Sequence, residues 1–133
     1  MGIESSHHVA LIASDYEASK RFYTEVLEFT VLAENFRVER ASYKLDLRGP
    51  GDIQLELFSF PGSPERASHP EACGLRHLAF RVSDLDQEIT RLNSLGVVTG
   101  PIRIDEYTGK RFMFFSDPDG LPLELYEDKY GNS

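Results

Sequence analysis

The sequence predicts an α+β fold built from two βαβββ modules in tandem. Two pairs of similar segments support this prediction: residues 8–15 resemble residues 77–84, and residues 53–58 resemble residues 121–126. The spacings are 69 and 68 residues, so a single duplication accounts for both pairs. Each copy begins with alternating apolar residues and continues into an amphipathic stretch, which is the pattern of a strand followed by a helix.

The elements of the first module follow from its periodicity. Residues 8–13 alternate as a strand does, and Ser14 and Glu17 have the spacing of a capping box that begins a helix. Apolar residues then recur at helical spacing as far as Leu27. Three further strands are predicted near residues 30–38, 42–47 and 52–60.

The second module repeats this order. Ser83 and Asp86 are expected to cap its helix, and Gly96 is expected to end it. Its later strands are predicted near residues 97–104, 111–116 and 121–127, with a turn at residues 117–120. We expect one domain over residues 1–133, with module one at about 5–60, a connector at 61–75 that holds three prolines and two glycines, and module two at about 76–128.

Composition narrows the class of protein. The 133 residues are 41% hydrophobic and 27% charged, which is ordinary for a globular domain. The net charge of −8 disfavours nucleic acid and anionic membranes, so a small molecule is the expected partner. No apolar run reaches the roughly 18 residues of a membrane span, and no secretory signal opens the chain. The lone Cys73 favours a cytoplasmic location.

Each module is expected to place one histidine and one glutamate on the sheet face turned away from its helix. Side chains alternate along a strand, which puts His8 and Glu56 on that face in module one, and His77 and Glu124 in module two. Two imidazoles and two carboxylates suit a borderline divalent metal such as zinc, nickel, cobalt, manganese or iron(II). The four residues therefore predict a metal site with room for substrate.

Two other histidines are expected to take no part, since His7 alternates to the opposite face and His69 lies in the connector. Aromatic residues on the ligand face are candidates for an apolar wall beside the substrate. Basic residues are exceptions in an acidic chain and are candidates for binding a charged group. The candidate substrate-binding residues are Phe58, Phe60, Arg81, Arg111 and Lys44.

This pattern resembles the vicinal oxygen chelate superfamily and, within it, glyoxalase I (lactoylglutathione lyase). The resemblance runs from His8 to Glu127 and matches His8, Glu56, His77 and Glu124 to the superfamily's ligand positions one by one. It implies the glyoxalase-like fold, one divalent metal ion per site and a hemithioacetal substrate. The implied reaction is proton transfer by a glutamate through a metal-bound enediolate, with Glu124 as the base and Glu56 as the alternative.

The resemblance does not extend to the glutathione contacts of bacterial glyoxalase I, because Ile12 and Phe60 stand at those positions. Two other functions stay open: a metal-dependent epimerase or isomerase of an acyl thioester or keto acid, and a small-molecule binding module. Relatives of the glyoxalase type also imply a homodimer whose sites are shared between subunits. The length of the connector allows sites within one chain or between two.

Overall fold

Each half of the chain folds into a four-stranded sheet with one main helix. The computed structural model describes residues 2–129. The chain divides into two compact units whose boundary lies between Glu65 and Arg66. The βαβββ order predicted for each module is confirmed in both units.

In the first unit, the parallel pairing of the first and last strands determines the topology. The sheet order is β1-β4-β3-β2, with β1 parallel to β4 and the other neighbours antiparallel. Short 3₁₀ turns at Val38–Arg40 and Pro50–Asp52 precede β3 and β4. The elements are β1 (Val9–Ala13), α1 (Tyr16–Arg21) continued by a π-helical turn (Phe22–Val26), β2 (Thr30–Arg37), β3 (Ser42–Arg48) and β4 (Gln54–Ser59).

The second unit repeats this topology, with sheet order β5-β8-β7-β6 and β5 parallel to β8. Its strand β6 has only two residues, far fewer than predicted, because Pro101 has no backbone N–H for a ladder and Gly100 bonds singly to the Phe114 carbonyl. The elements are β5 (Leu78–Val82), α2 (Leu85–Ser94), β6 (Arg103–Ile104), β7 (Arg111–Ser116) and β8 (Pro122–Glu127).

The helices begin one residue later than the predicted capping boxes. Asp15, rather than Ser14, caps α1 by accepting a hydrogen bond from the Ala18 N–H. Asp84, rather than Ser83, caps α2 in the same way. Both aspartates have the extended backbone that a cap requires, and a carboxylate is as good a cap as a hydroxyl. Neither α1 nor α2 is long and apolar enough to cross a bilayer, nor is any other helix within residues 2–129.

One face of each sheet is buried under its helix, as the alternation predicted. Leu11 and Ala13 are buried while Ala10 and Ile12 are exposed, so the apolar parity of β1 faces the core. Each leucine side chain removed from water contributes roughly 1.5–3 kcal/mol to stability before entropy is counted. The strand residues of these two cores are Leu11, Ala13, Leu45, Leu47, Leu55 and Leu57 in the first unit, and Met113, Phe115, Leu123 and Leu125 in the second.

Candidate metal centre

The first unit brings His8 and Glu56 together on the sheet face away from α1. His8 immediately precedes β1, and the parallel register of β1 and β4 sets Glu56 beside Ala10. The His8 Nδ1 atom lies 3.2 Å from Glu56 Oε2. The Glu56 side chain is buried, with only 8% of the residue exposed.

The second unit repeats the pair at equivalent positions. His77 immediately precedes β5, and Glu124 pairs with Ala79 in the register of β5 and β8. The His77 Nε2 atom lies 3.1 Å from Glu124 Oε1, and the glutamate is again buried, at 9% exposure. Each unit therefore contains one His–Glu pair, at equivalent positions.

The spacing of the two atoms in each pair fits a shared metal ion. Nitrogen and oxygen ligands lie at about 2.0–2.2 Å from a divalent ion, which sets adjacent ligand atoms roughly 3 Å apart. Buried carboxylates also require a cation or several donors to offset their loss of hydration. Within residues 2–129, Glu124 has no ion pair with a lysine or arginine, and the buried His77 Nδ1 has no hydrogen-bond partner.

His7, which we expected on the opposite face, lies beside the first pair. Its Nδ1 is 2.9 Å from His8 Nδ1, and the ligand atoms of His7, His8 and Glu56 all lie within 4.8 Å of one another. One proton on His8 Nδ1 does not serve two linear hydrogen bonds, whereas the three atoms are close enough together to be ligands of one cation. The alternation argument failed here because both histidines precede β1 and are not constrained by its pleat. Their adjacency was the signal available in the sequence.

The two glutamates have different neighbours on the adjacent third strand of their sheets. Glu56 lies opposite Asp46, and Lys44 Nζ is 2.9 Å from Asp46 Oδ1 and 3.9 Å from Glu56 Oε1. Glu124 lies opposite Phe114, whose ring meets the His77 ring edge-on at 5.1 Å. Glu56 therefore has charged neighbours, whereas Glu124 has an aromatic one.

Two predicted substrate-binding aromatics lie on the same face of the first sheet. The rings of Phe58 and Phe60 stack at 5.9 Å, and the Arg37 guanidinium lies over both, at 4.9 and 5.6 Å. Arg37 also donates from Nη2 to Ser42 Oγ. Its contribution was absent from the sequence prediction because β2 is an edge strand whose exposure shows no clear alternation.

Two arginines that were predicted to bind substrate lie close to carboxylates. Arg81 lies in register with Tyr126 on the ligand face, and its Nε is 3.7 Å from Asp128 Oδ2 at the rim. Arg111, expected near the substrate, instead pairs with Glu127 and with Asp86 of α2. It has the parity of buried Met113, so it lies on the helix side of the sheet. The prediction that Arg111 binds substrate is therefore wrong, because its guanidinium is held by Glu127 and Asp86 on the helix side of the sheet.

Comparison with known proteins agrees with this fold. Residues 5–125 match the model of the Glyoxalase/Bleomycin resistance protein/Dioxygenase superfamily. The chain belongs to this superfamily. It is 58% identical over 127 residues to the uncharacterized protein YwkD of Bacillus subtilis, which covers 96% of this chain and 99% of that one. A probable lactoylglutathione lyase of Vibrio cholerae is 27% identical over 131 residues, covering 95% and 92%.

Solved structures show the same fold. A glyoxalase family protein from Enterococcus faecalis superposes with a TM-score of 0.89 at 52% identity, covering 96% of this chain and 100% of that one. A fosfomycin resistance protein, FosX from Listeria monocytogenes, superposes with a TM-score of 0.73 at 19% identity, covering 96% and 93%. That structure is complexed with Mn(II) and 1S,2S-dihydroxypropylphosphonic acid. At this identity the likeness shows the fold alone.

Proposed function

We propose that this protein is a divalent-metal-dependent lyase or isomerase acting on a hemithioacetal or a related α-oxo substrate. The buried His–Glu pair, found at equivalent positions of both units, supports the proposal most strongly. A binding module without turnover has no need of two buried carboxylates beside two imidazoles. Superfamily membership is consistent with metal-dependent chemistry.

His8, Glu56, His77 and Glu124 would hold the ion, with His7 beside the first pair. The donor set of imidazole nitrogens and carboxylate oxygens suits nickel, zinc or cobalt. When bound, the metal would supply Lewis-acid polarisation of the substrate carbonyl.

Glu124 is our choice for the proton-transfer residue, and Glu56 is the alternative. Glu124 would take the proton from the carbon that bears sulfur and return it to the adjacent carbonyl carbon. The hydroxyl proton also moves, from the oxygen on the sulfur-bearing carbon to the former carbonyl oxygen, so that a hemithioacetal becomes a hydroxyacyl thioester with no atom gained or lost. Glu56 is engaged by both His8 and Lys44, whereas the ion-pair contact of Glu124 within residues 2–129 is to His77. Proton transfer needs a carboxylate that changes partners during the reaction.

The thiol of the substrate is proposed to differ from glutathione. Ile12, which is 56% exposed, and Phe60 stand where the family resemblance expects charged and amide groups. Neither side chain has a hydrogen bond to offer a glutathione carboxylate. The sole cysteine, Cys73, is an exposed free thiol, which is consistent with the reducing cytoplasm that we propose as its location.

We also propose a homodimer in which each ion takes His8 and Glu56 from one subunit and His77 and Glu124 from the other. The proposal comes from the resemblance to glyoxalase-type relatives. Mixing His8→Ala and His77→Ala chains under conditions that exchange subunits tests it. A shared site regains activity in the heterodimer, up to about half that of the wild-type dimer. No recovery despite proven exchange contradicts sharing.

The function itself is tested by metal analysis of protein purified without chelator, followed by turnover of methylglyoxal hemithioacetals formed with several thiols. We expect about one divalent ion per site and a loss of turnover on chelation. Glu124→Gln should retain the fold yet lower kcat by about 10²-fold or more. Glu106→Gln removes the same charge from an exposed loop and should have little effect.

Three outcomes contradict the proposal. The proposal is wrong if the purified protein contains no metal and binds none when nickel or zinc is added. Normal turnover in Glu124→Gln moves the proton transfer to Glu56 or to another base. Racemisation of an acyl thioester, with no turnover of any hemithioacetal, favours the epimerase.

A further inference from the structure

The second unit contains a pocket of about 370 Å³ whose lining includes His77, a proposed metal ligand. Phe114 and Pro122 of the sheet line it together with residues 66–69, 71 and 72 of the preceding segment. This volume is within the range of small-molecule sites. The pocket therefore lies where a substrate held near His77 would extend.

The pocket is lined by more positive than negative charge, although the protein carries a net charge of −8. Arg66, Arg76 and Arg103 line it, and Glu71 is the one carboxylate among its lining residues. Clustered charge of one sign in a concave surface concentrates field lines and attracts ligands of opposite sign. The local charge is thus opposite to that of the molecule.

None of these three arginines has a carboxylate partner within residues 2–129, so their charge is not neutralised by an ion pair of the chain. Several other lysines and arginines of this chain pair closely with acidic side chains. Such pairs are Lys20–Glu34, Lys44–Asp46, Arg91–Glu88 and Lys110–Asp128. What distinguishes the three guanidinium groups is that they line one cavity, where their combined charge favours an anion from outside the chain.

The three arginines have different surroundings. Arg66 donates from Nε to Ser68 Oγ and from Nη2 to the carbonyls of Leu75 and Arg76, so it holds the segment that lines the pocket. Arg103 lies with its guanidinium carbon 5.4 Å from the centre of the Phe112 ring, an arrangement that leaves its N–H groups for a ligand. Arg76 is exposed and has no hydrogen bond from its side chain to residues 2–129. Arg76 and Arg103 are the two positioned to bind an anion.

We propose that this pocket binds an anionic oxygen group of the substrate, a carboxylate or a phosphate or phosphonate, through Arg76 and Arg103. The planar guanidinium matches such groups by forming two parallel N–H···O bonds. The inference rests on the proposed function for its assignment to the substrate. It predicts a substrate with the anionic group at one end and the reacting carbons near His77.

The test is equilibrium binding of inorganic phosphate, methylphosphonate and acetate to the chelator-treated full chain, measured by titration calorimetry at low salt. We expect millimolar binding of at least one anion. Arg76→Gln combined with Arg103→Gln should weaken it about tenfold or more. Arg48→Gln, an exposed arginine of β3 outside the pocket, removes one charge as a control and should change binding less than twofold.

Replacements that keep the charge distinguish a loss of anion binding from a loss of local structure. Arg76→Lys with Arg103→Lys should give binding between the wild type and the glutamine variant, because the charge remains but the paired hydrogen bonds are lost. Far-UV circular dichroism verifies that each variant is folded. The anion that binds most tightly identifies the group as carboxylate or phosphorus-based.

The proposal is overturned if none of the three anions binds, if the glutamine variant binds as the wild type does, or if Arg48→Gln weakens binding equally. Because binding is measured without metal and without turnover, these outcomes are independent of the proposed reaction. Hemithioacetal turnover that is unaffected by the pocket variants, together with absent anion binding, would leave the reaction standing and reject the pocket. Anion binding without any hemithioacetal turnover would support the pocket and reject the proposed reaction.

Discussion

Glu127, at the end of β8, joins three elements of the second unit and should contribute measurably to its stability. Its carboxylate accepts bonds from Arg111 Nε and Nη2 on β7, each at 3.0 Å, and from the Leu85 N–H at the start of α2 at 2.9 Å. The Arg111 guanidinium, followed by the Leu85 N–H, lowers the pKa of Glu127 from its ordinary 4.5 to about 2. Glu127→Gln retains the shape of the side chain and removes its charge.

The size of the effect follows from that lowering of the pKa. A difference of 2.5 between 4.5 and about 2 corresponds to at most about 3.4 kcal/mol, at 1.36 kcal/mol per unit. The Glu127 and Arg111 side chains are 19% and 33% exposed, so solvent screens part of this interaction. We therefore expect Glu127→Gln to lower the free energy of unfolding by about 1–2 kcal/mol at pH 7.

The pH dependence has a definite sign. Since the folded pKa lies below the unfolded one, the stabilisation is complete above pH 4.5 and is lost as the pH falls through about 2. The difference between wild type and Glu127→Gln should therefore be constant from pH 6 to 8. It should fall to less than about half by pH 3.

The assay is urea unfolding followed by far-UV circular dichroism, because the chain has no tryptophan. Glu106→Gln, in the loop between β6 and β7, is the matched control and should leave the midpoint unchanged. Equal stability of Glu127→Gln and wild type at pH 7 would refute the reasoning. A difference that persists undiminished at pH 3 would show that shape, rather than charge, was responsible.

Three further predictions concern the caps, the core and the metal. Asp84→Ala should destabilise the protein by about 1 kcal/mol, whereas Ser83→Ala should not, and equal urea midpoints for the two variants would contradict the capping assignment. Gly49→Ala should lower the free energy of unfolding by about 1–3 kcal/mol, because its new Cβ would overlap the buried ring of Phe29. Gly2→Ala, whose Cβ would meet no atom within 4 Å, is the control. Adding nickel or zinc to chelator-treated protein at about 100 times its Kd should stabilise it by about 2.7 kcal/mol, and an unchanged melting temperature would argue against a metal site.

The parts of the fold that the sequence predicts well are those governed by repetition and alternation. Leu55 and Leu57 face the core and Glu56 faces away from the helix because a strand permits no other parity. The duplicated His and Glu positions could be identified without a structure because they have the same offset as the apolar residues around them. Their burial was not predictable, since it depends on neighbouring strands that are distant in sequence.

The predictions that failed depended on features that alternation does not govern. His7 was assigned to the wrong face because the strand begins after it. Arg111 was chosen for its charge alone, although its parity with Met113 places it beside α2. The pocket arginines were missed because Arg66 lies in the irregular connector and Arg76 in the residues just before β5, where no periodicity indicates which side chains share a cavity.

The duplication has kept the His–Glu pairs alike while the residues opposite the glutamates have diverged. Asp46 stands opposite Glu56, and Phe114 stands opposite Glu124. Binding an ion requires only that the ligand atoms be present, and the repeated His–Glu pair provides such atoms in both units. The proposed proton transfer between two neighbouring carbons would require carboxylates that behave differently, one to hold the ion and one free to take up the proton. The charged neighbours of Glu56 and the aromatic neighbour of Glu124 would provide that difference. If the proposed reaction is right, exchanging Asp46 and Phe114 should disturb turnover far more than metal affinity.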